Sequence, residues 1–165
     1  NLNLIKDLKE KIVIENVGGS AYRTLSRILK ALDIDSHFVW MNKEEDPFFH
    51  GIGKYDVDPK GNKTFYDYSV DATVISKDKD GKPYFPVIKS LHYDEKLKDS
   101  PIGTVVLITD PDHDRLTVCQ IEAEDKKDFL KSLGVDYVEL GNGRILTVFT
   151  ANQSFLMIMD FWMQQ

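Results

Sequence analysis

Six consecutive residues, Thr104-Val105-Val106-Leu107-Ile108-Thr109, are β-branched or apolar with no charged interruption. A strand that reads this way has to be covered on both faces, which points to the α/β class rather than to a sheet with one solvated face. The residues after it are equally constrained. Asp110, Asp112 and Asp114 occupy alternate positions, and Arg115 follows at once. They stand just beyond the carboxyl end of a buried strand, where open α/β sheets bind ligands.

The rest of the sheet is read from shorter runs. Lys11-Ile12-Val13-Ile14 predicts a buried strand, Val17-Gly18-Gly19-Ser20 a tight turn, and Tyr22, Leu25, Ile28, Leu29 and Leu32 the core-facing stripe of a helix. Residues 36–41 predict a second strand, which closes a β-α-β unit with a right-handed crossover and a parallel pair. Residues 12–14, 37–40, 105–108 and 116–121 are expected to share one mixed, mainly parallel sheet with helices on both faces, a three-layer sandwich. Gly18 and Gly19 are assigned to the turn, because glycine's main use is unusual φ.

Between Asp46 and Pro86 the pattern breaks up, and the sequence predicts at most one hairpin there. Its arms would be residues 70–76 and 82–87 around Asp78-Lys79-Asp80-Gly81. A short helix is expected over 88–97 and another over 125–133, ending at Gly134. Two strands, 137–140 and 145–149, flank Gly141-Asn142-Gly143, and Thr150 with Gln153 has the spacing of a capping box for the last helix.

Composition removes several classes of partner. Lys plus Arg number 21 against 27 Asp plus Glu, a net charge of −6, so no broad positive field exists for nucleic acid or anionic lipid. The longest apolar run is interrupted by Asp160 and is too short to span a membrane, and no signal peptide pattern is visible, so a cytoplasmic location is expected. Cys119 is the single cysteine, in an apolar stretch that reads as core, and the four histidines lack zinc-motif spacing. The chain begins at Asn1 and finishes in FLMIMDFWMQQ, apolar around most of a helical wheel, from which further chain is expected to pack on that helix.

Three carboxylates this close repel one another, and a hard cation among them relieves the repulsion. Oxygen-only ligands favour magnesium, calcium or manganese. Arg115 is suited to gripping a phosphate. The plain alternative is an acidic, solvated turn. An EF-hand starting at Asp110 would need glycine sixth and glutamate twelfth, where Arg115 and Ile121 stand; one starting at Ser76 has Gly81 but fails at Val87. A haloacid-dehalogenase phosphatase would use Asp110 as nucleophile and Asp112 as acid/base, but Asp114 replaces its usual small β-branched residue and no later acidic pair follows.

Four segments carry a more specific resemblance. TDPDHDRLTV at 109–118 is similar to the metal-binding loop of the α-D-phosphohexomutases, the phosphoglucomutase and phosphomannomutase family. IENVGGSAY at 14–22 resembles the glycine turn of the same domain, EEDPFF at 44–49 its acidic proline-containing segment, and ANQSFLMIMDF at 151–161 the helix leading out of it. The resemblance implies that residues 1–149 are the second, metal-binding domain and 150–165 the helix towards the next. It also implies Mg²⁺ held by Asp110, Asp112 and Asp114, with Arg115 the catalytic phosphate contact. The implied partners are a hexose phosphate and other domains of the same chain, which would carry a phosphoserine; the fragment alone is then inactive. Residues 51–101 are longer and less regular than the family leads one to expect, and nothing is transferred there.

Overall fold

The computed structural model describes residues 2–51, 54–57, 59–61, 63–67, 76–77 and 83–164. A short helix, α1 (Leu2–Lys6), precedes strand β1 (Ile12–Glu15), helix α2 (Tyr22–Ala31) and strand β2 (Phe38–Met41). Two small hairpins follow, β3 (Lys54–Val57) with β4 (Lys63–Asp67), and β5 (Ser76–Lys77) with β6 (Pro83–Tyr84). Helices α3 (Pro86–Ser90) and α4 (Tyr93–Lys96) lead to β7 (Val105–Thr109) and β8 (Leu116–Ala123). Helix α5 (Lys127–Ser132), strands β9 (Asp136–Gly141) and β10 (Arg144–Phe149), and helix α6 (Ala151–Met163) complete the order.

Six of these strands form one mixed sheet in the order β2-β1-β7-β8-β10-β9. All four strands expected to share a sheet do so, and β1 lies parallel to both β2 and β7. The sheet is not mainly parallel, however. Three of its five pairings, β7 with β8, β8 with β10 and β10 with β9, are antiparallel. The reason is connection length: six residues join β7 to β8 and two join β9 to β10, which allows only antiparallel return.

Strand β7 is interior, and Val106 and Ile108 are buried together with Cys119 and Ile121 of β8. These residues form the main core with Phe85, Val87, Ile88, Leu91, Tyr93 and Leu97 of the α3–α4 region. Each such aliphatic side chain removed from water contributes about 1.5–3 kcal/mol, enough to fix which way each strand faces. Adjacent residues of β10 divide between two clusters: Leu146 and Val148 join the main core, and Ile145 packs with Leu130 and Val135 beside α5. Neighbouring strand residues point to opposite faces, so β10 buries both.

Some expectations are corrected. The helix expected over 88–97 is two short ones, interrupted where His92 takes φ 56°. Among the described residues, the segment between Asp46 and Pro86 holds two hairpins rather than one; of the expected Asp-Gly hairpin, residues 78–82 and 70–75 lie outside the described residues, and Val87 belongs to α3. The stripe of α2 is only partly covered, since Tyr22, Leu25 and Leu29 are half-buried while Ile28 and Leu32 remain exposed. The capping box at Thr150 forms as expected, and α6 packs on β8 and β10 while leaving Phe155, Leu156, Trp162 and Met163 largely exposed. Among the described residues no helix is long and apolar enough to cross a membrane.

Candidate metal site

Because β2, β1 and β7 run parallel, the segments leaving their carboxyl ends meet at one edge of the sheet. Those segments are residues 16–21, 42–50 and 110–115. Backbone hydrogen bonds tie the first two together: the N–H of Asn16 donates to the Met41 carbonyl (3.1 Å), that of Gly18 to Asn42 (3.1 Å), and that of Asp46 to Gly18 (3.0 Å). The turn itself needs support. Val17 is fully buried with φ 52°, a costly conformation for a β-branched residue, and Gly18 follows at φ 71°.

Support comes from Glu15, which is fully buried at the end of β1. Its carboxylate accepts from the Val17 N–H (2.8 Å), from Asn42 Nδ2 (2.9 Å) and from the Tyr93 hydroxyl (2.7 Å). Burial, and then the charge of Glu15, push the Tyr93 phenol well above its ordinary range, so it remains a donor. A buried carboxylate with three donors is tolerated where an unpaired one would not be.

The acidic loop docks on this turn. At Gly19 an added Cβ would stand 2.4 Å from the Pro111 carbonyl oxygen and 2.8 Å from its Cα. Gly18 therefore serves the turn as expected, but Gly19 serves close approach of two loops. The Ser20 N–H donates to the Pro111 carbonyl (3.3 Å) and the Ala21 N–H to His113 Nε2 (3.1 Å). Ala21 is the residue before α2 and has no side-chain cap of its own, so His113 supplies the acceptor there. Burial lowers the pKa of His113 against the opposing charge of Asp112, which favours the neutral ring that such an acceptor requires.

Within the loop, one ligand oxygen from each of Asp110, Asp112 and Asp114 lies within 4.8 Å of the others. Asp110 is the most covered, and burial followed by its hydrogen bond to Asp114 raises its pKa to about 6. Its Oδ1 accepts from the Arg115 N–H (3.1 Å), and the Arg115 Nε stands 3.9 Å from Asp110 and 3.7 Å from Asp114, on the exposed rim. Octahedral magnesium holds oxygens at about 2.1 Å, so adjacent ligands are about 3.0 Å apart, and the three carboxylates would draw closer together to hold it. The donor set, all carboxylate oxygen, fits a hard divalent cation, and a charge of +2 beside Asp110 would favour its ionised form.

The structure brings together all four residues named from the sequence. It adds Glu15, Tyr93, Gly19 and His113, which the sequence gave no local reason to join. The chain matches no family model, no curated protein and no solved structure.

Proposed function

We propose that this chain is the metal-binding domain of an α-D-phosphohexomutase, in which Asp110, Asp112 and Asp114 hold Mg²⁺ and Arg115 contacts the transferring phosphate. The observation that carries the reading is convergence. Three segments quoted for the resemblance, 14–22, 44–49 and 109–118, are joined through the first of them: the Asp46 N–H donates to the Gly18 carbonyl, and the Ser20 and Ala21 N–H groups donate to Pro111 and His113 of the loop that holds the triad.

When bound, the cation would neutralise charge on the phosphoryl group in flight, the main demand of this chemistry. The chain's own residues do the rest. Asp110, Asp112 and Asp114 would hold the cation through carboxylate oxygens, and its charge would favour the ionised form of Asp110. Arg115, released from the carboxylates it now leans on, has donors to offer that phosphate. In this reading the serine donor and the sugar contacts lie on other domains of a longer cytoplasmic protein, the sheet belongs to a three-layer sandwich with helices on both faces, and the exposed apolar side of α6 is covered by the next domain.

A coupled assay on the full-length protein carrying this chain tests the reading. Magnesium-dependent interconversion of hexose 1- and 6-phosphates is expected, lost in Asp112→Asn, with none from the 165-residue chain alone. Hydrolysis of a generic phosphomonoester without interconversion would instead favour the dehalogenase-type alternative. Metal binding with neither activity would leave a non-catalytic metal- or phosphate-binding module.

A further inference from the structure

The geometry points to His113 as a positioning residue of the metal loop: its Nε2 accepts the Ala21 N–H, anchoring the loop that carries Asp112 and Asp114 to the amino end of α2 and holding the carboxylates together before any metal arrives. This rests on the metal-site reading above and adds a residue to it.

Three features of the loop carry the inference. First, His113 sits between two of the three ligands and takes φ 65°, so its side chain and theirs depart in different directions from one short turn. The N–H of His113 also donates to the Asp110 carbonyl (3.2 Å), which closes that turn on the remaining ligand. Second, the contact is long-range, joining residues 92 apart in sequence, so it fixes the loop against the sheet rather than only against itself. Third, the other attachment on that side is the Ser20 N–H to the Pro111 carbonyl at 3.3 Å, ahead of Asp112. Without His113, the half of the loop bearing Asp112 and Asp114 loses its tie to α2.

Convergent ligands have to be held against their mutual repulsion if a cation is to bind without first ordering them. The group that orients a ligand is therefore worth a measurable share of affinity, on the order of tenfold or more.

The test uses the chain itself with manganese alone as probe, free Mn²⁺ being read by electron paramagnetic resonance. His113→Gln and His113→Leu have similar length and meet the same positive φ, but only glutamine offers an acceptor at the reach of Nε2. His113→Leu is expected to weaken Mn²⁺ binding about tenfold and His113→Gln to restore it to within about twofold of the native chain. Thermal unfolding without metal runs in parallel; His113→Leu, which leaves the Ala21 N–H unpaired, is expected to fall further than His113→Gln, and the titrations are compared at a temperature where both are folded. Unchanged affinity in His113→Leu, or equal losses in both variants, overturns the inference while leaving the metal site standing. Absence of saturable Mn²⁺ binding by the native chain overturns the metal-site reading and the inference with it.

Discussion

Gly19 and Pro111 are in backbone contact, so close that a Cβ on Gly19 would lie 2.4 Å from the Pro111 carbonyl oxygen. This contact joins the turn after β1 to the loop after β7, and through it the acidic triad acquires a fixed place on the sheet. It also makes Gly19 a sensitive position.

Gly19→Ala is expected to push the 110–115 loop away, because the atoms in the way are backbone and not the end of a flexible side chain. The cost should be about 1–3 kcal/mol, as for other insertions into packed structure. Urea denaturation reads the stability, and a manganese titration of the same variant should show weaker binding. Unchanged binding would mean that the loop's position does not matter to the site.

Tyr93 is the buried donor to Glu15, so Tyr93→Phe removes a hydrogen bond from a carboxylate that cannot reach water. A loss of about 1–3 kcal/mol is expected. Its pKa is raised in the folded chain, so the unfolded chain is the first to release this proton as the solution becomes alkaline. Stability is therefore full below about pH 10 and falls as pH rises above it. Tyrosinate absorbance against pH, with and without Tyr93, checks this: the native chain should hold one more phenol protonated until it unfolds.

Asp110 acts in the opposite part of the pH range. Its pKa rises from 3.8 to about 6 on folding, so the folded chain keeps a proton that the unfolded chain has lost between those values. In the metal-free protein, stability should be greatest below about pH 4 as far as this group is concerned, and should decline as pH rises towards 6. Solvent at the two exposed partners limits the effect to the order of 1 kcal/mol. Asp110→Asn should flatten that decline, and Mg²⁺ added to the native chain at pH 7 should reverse it. Thermal midpoints between pH 4 and 7.5, with and without the metal, give the comparison.

The parts of this structure that were legible in the sequence are those set by local pattern. The unbroken run at 104–109 announced an interior strand, Thr150 with Gln153 announced the start of α6, and the glycines at 141 and 143 announced the β9–β10 hairpin. The alternate aspartates marked a candidate site because their own spacing brings the oxygens together. Long-range partners left no such trace. Nothing near Glu15 in sequence indicates Tyr93, 78 positions away, and nothing near His113 indicates the Ala21 N–H. Gly19 looked like a turn residue beside Gly18, and only the approach of Pro111 distinguishes the two. The overall balance of parallel and antiparallel pairing is not legible in apolar runs, because a buried strand is apolar in either setting, although the short link after residue 109 already marks 116–121 as a return strand.

The central claim, that the 110–115 loop takes up a divalent cation through its three aspartates, is tested most directly by magnesium calorimetry at pH 7.5. The measurement compares the native chain with Asp112→Asn, which removes one charge and keeps the shape. The account predicts one weak site, since three carboxylates supply only half of an octahedral shell, with affinity about tenfold lower in the variant. No saturable heat from the native chain at tens of millimolar Mg²⁺, about the weakest range such a site allows, or equal affinity in Asp112→Asn, would contradict it.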